Sequence, residues 1–327
     1  MGVRPGQFAL GTFAGDGRVF PGLVLPDDRV HDLSERFPNA RAIFEEWDAS
    51  LPLLMEIAAD PPDAVALAEL HVLPPVEPRQ ILQSGANYHR HVVELAVDKR
   101  IGLKEGQTLD ELRAETDALM RERAKTGEPY IFQGAVSAVC GAYDDILLPQ
   151  RGEQHDWELE LACVIARPGR HVPVEHALEW VAGYTIANDL TTRDLFARDD
   201  LKAIGSDWVR CKNAPTFLPT GPWILPEQFV EDPQDLHISL RLNGEQMQDE
   251  STADMIFGVA QLVAYASSLV QLLPGDLLLT GSPAGNGTKY NRFLREDDVI
   301  DAEITGLGAQ RNRCRREVTA AVGAATA

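Results

Sequence analysis

Cysteine is scarce and scattered. The four present, Cys140, Cys163, Cys211 and Cys314, form no Cys-x-x-Cys pair. That argues against a zinc ribbon or a thioredoxin-type motif and predicts reduced thiols in the cytoplasm. Positive charge is also in deficit: 30 Lys and Arg stand against 50 Asp and Glu, a formal net charge of −20. Such a field opposes non-specific attachment to nucleic acid or to an anionic membrane, so neither is expected as a partner. A local basic pocket for an acidic substrate remains allowed. The N-terminal run MGVRPGQFALGTFAGDG holds no continuous apolar segment of the kind a secretory signal requires. Internal repeats and low-complexity tracts are absent. The one long stretch without charge, Met255 to Gly275, carries Gln261, Gln271, Ser267, Ser268, Gly258 and Pro274 and has no basic flank. It reads as a buried amphipathic helix rather than a membrane span.

What is present is an ordinary globular composition, 44% apolar and 24% charged over 327 residues. That suffices for one large domain or two modest ones, with a core that needs no disulfide. Residues 1–75 read as a small α/β leading unit. Gln7–Phe13 and Arg18–Val24 are strand-like around the turn Ala14-Gly15-Asp16-Gly17. Ile43, Phe44, Trp47, Leu51, Leu54 and Ile57 predict a helix over Ala40–Ala59, stopped by Pro61 and Pro62. Pro74, Pro75 and Pro78 mark the boundary to a second unit, residues 76–327.

That unit opens with a strand, Ile81–Tyr88, ending in a turn. The charged segment 92–129 predicts an exposed helical insertion, either a mobile lid or a solvated helix pair. From Tyr130 the chain is strand-rich: Trp157–Ala166, Val181–Ala187, Thr216–Ile224, Leu236–Leu242 and Asp276–Thr280. Asn243-Gly244 predicts a two-residue hairpin. Ser251-Thr252-Ala253-Asp254 reads as a capping box opening the uncharged helix, and Pro274-Gly275 closes it. Residues 315–327, rich in Ala and Gly beyond Cys314, read as a flexible tail. The fold class that follows is α+β, mostly β.

Five stretches could carry chemistry. In Asp156-Trp157-Glu158-Leu159-Glu160-Leu161, strand alternation puts Glu158 and Glu160 on one face, ~6–7 Å apart at Cα. Adjacent carboxylates repel unless a cation sits between them; the alternative is an exposed face with Lys or Arg partners. Asp189 follows the apolar run Val181–Ala187, where it is either a third ligand or a helix cap. Three carboxylates without His or Cys would suit Mg²⁺ or Mn²⁺ rather than zinc. His91 and Glu94, at i and i+3 on a helix, form either a water-activating base pair or a surface ion pair. Lys212, among aromatics and prolines, either holds an anionic substrate or is a surface lysine of a loop. The glycines of Leu273–Gly287 permit close backbone approach to a ligand.

In this order, the pieces resemble the fumarylacetoacetate hydrolase family. They are Gly85-Ala86-Asn87-Tyr88 with His91 and Glu94, then Glu158-Leu159-Glu160-Leu161-Ala162, then Gly183 through Asp194. Lys212 with Pro219-Thr220-Gly221-Pro222, Asn243-Gly244, Gln248, and Pro274-Gly275-Asp276 through Gly287 complete the set. The resemblance implies a mixed β-roll catalytic domain behind a small N-terminal domain, and a homodimer. It implies Glu158, Glu160 and Asp189 as metal ligands, His91 and Glu94 as the dyad that activates water, and Lys212 as the stabiliser of an enolate. The implied cofactor is Mg²⁺ or Mn²⁺, with Ca²⁺ able to take its place in crystals. Tyr88, Arg193, Phe196, Gln248, Thr280 and Gly281 are the implied substrate contacts, with Arg193 also bracing the strand-exit loop.

The expected activity is hydrolysis of a carbon–carbon bond in a β-diketo, acylpyruvate-like acid. The alternatives are a decarboxylase, hydratase or isomerase of a related 2-oxo acid, or a non-catalytic dimeric binding member. Three departures stand out. No carboxylate occurs in Gln83–Tyr88, where some members have a fourth ligand. Phe196 stands seven residues after Asp189, where hydrolases of the family often have Gln. The loop reads Thr280-Gly281-Ser282-Pro283, with Ser where Thr is usual.

Overall fold

A computed structural model describes residues 2–61 and 63–318. Pro62 and most of the expected tail lie outside the described residues. The strand Gly308–Arg316 carries regular structure past Cys314.

The first sheet has five strands, in the order Ala64–Ala66, Arg29–Asp32, Arg18–Val24, Ala9–Gly15, His71–Leu73. Its leading hairpin turns at Asp16 (φ 51°) and Gly17 (φ 74°), the left-handed pair that a two-residue turn requires. The helix expected over Ala40–Ala59 is two helices, Ala40–Glu45 and Trp47–Ala59. The break at Glu46 lets Phe44 and Trp47 both bury, with ring centroids 5.6 Å apart.

The central sheet has eight strands. Seven run in the order Tyr130–Gly134, Ile81–Gly85, Leu277–Leu279, Leu159–Ile165, Val181–Asn188, Leu218–Thr220, Val139–Gly141, and Leu225–Pro226 pairs with Val181–Asn188. Ile81–Gly85 is parallel to Leu277–Leu279, and Leu218–Thr220 to Val139–Gly141; the other pairs are antiparallel. The strand expected over Thr216–Ile224 is cut to Leu218–Thr220: Thr216 takes a left-handed φ of 67° before it, and Pro222 after it donates no ladder hydrogen bond. A third sheet orders Glu245–Ser251, His237–Leu242, Val299–Ile304, Gly308–Arg316 and Ile146–Leu148. Its hairpin turns at Asn243 (φ 53°) and Gly244 (φ 84°), as the sequence predicts. The architecture is α+β and mostly β.

Both faces of the central strand Leu159–Ile165 are covered. Leu159, Leu161 and Cys163 pack with Tyr184, Ile186 and Leu262. Ala162 and Val164 pack with Leu10, Leu23, Phe44 and Leu277, so the N-terminal sheet and helices roof the other face. Leu10 and Ile224 exchange two backbone hydrogen bonds, of 2.8 and 2.7 Å, across that junction.

The charged insertion forms two helices, His89–Asp98 and Leu109–Thr126, packed on each other through Val93, Ala96, Val97, Leu112 and Met120. Thr108 and Glu111 cap the second helix reciprocally. Arg123 ties it down by donating to the Ala86 carbonyl at 2.8 Å and lying over the Phe257 ring. The uncharged stretch is helical only over Val259–Leu269. Ser251 caps a short 3₁₀ turn, Thr252–Asp254, instead of that helix. The chain between them stays extended because the Ile256 and Phe257 N–H groups donate to Asn87 at 2.7 and 2.9 Å. The helix then starts at Gly258, whose N–H donates to Gln261. Among the described residues, no helix is long and apolar enough to cross a membrane.

Candidate active site

Sheet register brings the acidic residues together. Leu159 pairs with Asn188 and Glu160 with Ala187, so Asp189, one residue past its strand, lands beside Glu158. Its N–H donates to the Glu158 carbonyl at 2.9 Å. Carboxylate oxygens of Glu158, Glu160 and Asp189 all lie within 4.8 Å of one another, and all three residues are buried.

Two cations hold this cluster. The Lys212 ammonium donates to Glu158 Oε2 at 2.6 Å, to Asp189 Oδ2, and to the Asp189 carbonyl at 3.3 Å. The Arg193 guanidinium donates to Glu158 Oε1 at 2.7 Å and to Asp156 Oδ2 at 2.8 Å. Burial pushes the Glu158 carboxyl up, but Arg193 and Lys212 outweigh it and hold Glu158 well below the usual carboxylate range. Burial wins at Asp189, raising it to about 6 despite Lys212. Glu160 is raised further, by burial and then by the Asp189 charge. Lys212 is itself raised: burial disfavours its charge, but Asp189 and Glu158 more than offset that.

Four formal negative charges, on Asp156, Glu158, Glu160 and Asp189, thus face two positive ones, on Lys212 and Arg193. Formally two negative charges remain unbalanced, an excess that the raised Glu160 and Asp189 carboxyls register. A divalent cation matches that balance, and an all-carboxylate donor set favours a hard one such as Mg²⁺ or Mn²⁺. The donors present therefore fit the group.

Glu158 and Glu160 of this cluster form one wall of a cavity of about 410 Å³, lined also by His91, Arg193, Phe196, Trp208 and Lys212; Asp189 lies behind that wall, bonded to Lys212. His91 projects from the helix His89–Asp98. Its surroundings, burial first, lower its pKa from the usual 6.5, although Glu158 opposes the shift, so the imidazole is neutral at pH 7. Glu94 does not hydrogen-bond His91 in this structure. It accepts instead from Arg90 Nε at 3.0 Å and from Lys289 Nζ at 2.7 Å.

Phe196 and Arg193 line the cavity. Tyr88 does not: it is fully buried in the apolar core. Thr280 is buried too, donating to the Leu161 carbonyl at 2.9 Å. Gly281, at φ 91°, donates its N–H to Glu160 Oε2 at 2.6 Å. Gln248 accepts from Leu159 N–H at 3.2 Å and donates to Ser282 and Pro283. Gly281 thus positions a carboxylate, and Gln248 braces the chain beside it.

Sequence reasoning missed three supports of the cluster. Gln83 donates to Asp189 Oδ1 at 2.6 Å. Asn286 donates to the Trp157 carbonyl at 3.0 Å and to Glu158 at 3.4 Å. Asp156 accepts from Arg193 and from the Gly287 N–H at 2.6 Å, pinning the glycine-rich loop. Asp156 lies two residues before Glu158, so the alternation that pairs Glu158 with Glu160 was its available signal.

The sequence model of the Fumarylacetoacetate (FAA) hydrolase C-terminal family matches residues 80–315, and the chain belongs to that family. Over 309 residues it is 34% identical to 2,4-didehydro-3-deoxy-L-rhamnonate hydrolase of Sphingomonas sp. (strain SKA58), covering 92% of this chain and 94% of that one. Over 188 residues it is 39% identical to the mitochondrial oxaloacetate tautomerase FAHD2B of Homo sapiens, covering 57% of this chain and 59% of that one. Fumarylacetoacetate hydrolase from psychrophilic Exiguobacterium antarcticum shares the fold with a TM-score of 0.72 at 27% identity, covering 95% of this chain and 100% of that one. Hydrolases and tautomerases thus both occur among its relatives.

Proposed function

We propose that this protein is a divalent-metal-dependent hydrolase that cleaves a carbon–carbon bond in a β-diketo, acylpyruvate-like acid. One observation carries the reading: a neutral base, His91, and a cation, Lys212, line the same cavity as Glu158 and Glu160, with Asp189 completing the buried trio behind them. The trio would hold Mg²⁺ or Mn²⁺, which when bound supplies Lewis-acid polarisation of the 2-oxo acid oxygens. His91 takes a proton from water, and the hydroxide adds to the distal carbonyl carbon. The carbon–carbon bond then breaks, leaving a carboxylic acid and an enolate. Lys212 exchanges its long 3.3 Å bond to the Asp189 carbonyl for one to the enolate oxygen, and the His91 imidazolium returns a proton to the enolate carbon, giving pyruvate. Arg193 fixes Glu158 throughout. The reading carries with it a homodimer in the cytoplasm, and the four buried free thiols accord with a reducing compartment.

The test is loss of enol absorbance from a panel of acylpyruvates with Mg²⁺ and again with EDTA, with the products identified. Metal-dependent appearance of pyruvate plus an acid supports the reading, and activity that survives EDTA unchanged removes its metal.

A second reading, a tautomerase, isomerase or decarboxylase of a 2-oxo acid such as oxaloacetate, is favoured by one feature. Glu94 is held by Arg90 and Lys289 rather than by His91, so no carboxylate reinforces the base, whereas moving a proton on an enol needs a milder one. Isomerised product without cleavage, or carbon dioxide from oxaloacetate, would select it.

A further inference from the structure

Beside the carboxylates the cavity changes character. Phe132 stacks on Trp208, with ring centroids 4.3 Å apart and planes 25° off parallel. Phe196 meets the same indole edge-to-face at 4.8 Å and 80°. Three separate elements bring these rings together: Phe132 comes from the strand Tyr130–Gly134, Trp208 opens the helix Trp208–Lys212, and Phe196 follows the 3₁₀ turn Arg193–Leu195. Asp207 fixes the start of that helix by accepting from the Arg210 N–H.

The rings are not spent on a core. All three border the cavity, and Phe196 keeps 36% of its surface exposed. An apolar wall left facing water marks a place where apolar surface is to be buried. The wall also adjoins the reacting end, because the Lys212 ammonium lies 5.6 Å from the Phe132 ring centroid. A substrate whose oxygens meet the carboxylate-lined end therefore lays its next group against these rings.

From this geometry we infer that the substrate's acyl group, beyond its 2-oxo acid end, is flat and apolar, an aryl or conjugated hydrocarbon group. Phe132, Trp208 and Phe196 then set specificity. The inference rests on the 2-oxo acid reading above and names the substrate class within it. The rival occupant is a distal carboxylate. It would turn to Lys99, an exposed lysine on the cavity lining for which no ion pair occurs among the described residues.

Equilibrium binding separates the two without relying on catalysis. Three 2-oxo acids that lack the distal ketone cannot be cleaved: 2-oxo-4-phenylbutanoate, 2-oxobutanoate and 2-oxoadipate. Each is titrated calorimetrically into the full-length protein with Mg²⁺. The phenyl compound is expected to bind at least about tenfold tighter than the other two, the order that a packed aromatic contact supplies. Trp208→Ala and, separately, Phe196→Gln should remove most of that preference, weakening the phenyl ligand far more than 2-oxobutanoate. Tightest binding of 2-oxoadipate, lost in Lys99→Ala, would overturn the inference, and so would equal weakening of all three ligands by both variants. Failure to turn over any acylpyruvate with the affinity order intact would refute the hydrolase and leave the inference standing. Failure to bind any of the three would overturn both.

Discussion

The carboxylates of the cavity sit at the ends of two central strands covered on both faces, whereas His91 and Glu94 project from a charged helix pair on the rim. In the first region every carboxylate is buried, and each has a short, directed partner: Lys212 and the partly exposed Arg193 on Glu158, Gln83 on Asp189, the Gly281 N–H on Glu160. In the second, ion pairs such as Lys104–Glu115 and Arg121–Asp117 are largely solvated. Buried charges that lose a partner keep their desolvation penalty, while exposed pairs return little. Substitutions in the two regions should therefore differ by orders of magnitude.

The largest effect is expected at Glu158. Glu158→Ala removes a donor of the trio and the shared anchor of Lys212 and Arg193. Metal-dependent turnover should fall by more than the roughly 10–100-fold that loss of an outer-shell partner brings, and calorimetric Mn²⁺ binding should weaken with it. Unchanged Mn²⁺ affinity would remove Glu158 from the ligand set. Next comes Lys212→Met, which leaves Glu158 and Asp189 without their ammonium. Chelator-treated protein should lose on the order of 3–5 kcal/mol by denaturant titration, and Mn²⁺ should restore more stability to the variant than it adds to the parent. A variant as stable as the parent would show that the buried charges are balanced some other way.

The contrast also explains what was legible in the sequence. Glu158 and Glu160 are legible because strand alternation is local, and Asp189 because it ends an apolar run. Their convergence rests on the register Leu159 to Asn188, which no local rule supplies. Gln83 meets Asp189 across 106 residues of chain, and a Gln in a strand carries no mark of that destination. Tyr88, Thr280 and Gln248 match the family's pieces in order, yet order along the chain does not say whether a side chain faces the cavity or the core; here all three are buried beside it rather than lining it. The hairpins at Asp16-Gly17 and Asn243-Gly244 are legible because turn chemistry is local. The start of the uncharged helix is not, since Asn87 holds residues Ile256 and Phe257 extended from a distant part of the chain.

A smaller effect sharpens the comparison where the two regions meet, at His91. Its pKa lies below 6.5, with burial as the largest cause. Below pH 6.5 the unfolded chain binds this proton more readily than the folded one, so the stability His91 contributes is present above 6.5 and is lost as pH falls toward its folded pKa. The acid limb of kcat/KM should accordingly lie below pH 6.5. Between pH 6.5 and 5, His91→Gln should lose stability less steeply than the parent in scanning calorimetry. An acid limb above 6.5 would assign the imidazole an environment that favours its cation.

The smallest structural effect is expected at Glu94. Its carboxyl lies below the usual range: burial pushes it up, but hydrogen bonds from Lys289 and Arg90 bring it down. Both partners are themselves partly exposed, with side-chain accessibilities of 35% and 53%, so solvent screens most of the attraction. Glu94→Gln should therefore change stability by less than about 1 kcal/mol. Its effect on rate is a separate matter and distinguishes the two proposed reactions. A hydrolase that needs a reinforced base must turn Glu94 away from Arg90 and Lys289 and onto His91 when substrate binds. In that case Glu94→Gln lowers kcat by about 10²-fold or more, and Lys289→Ala, which releases the carboxylate, does not. A tautomerase working through His91 alone leaves kcat nearly unchanged in Glu94→Gln. The pair of variants, measured on one acylpyruvate and on oxaloacetate, thus reports whether this rim contact stays structural or becomes part of the chemistry.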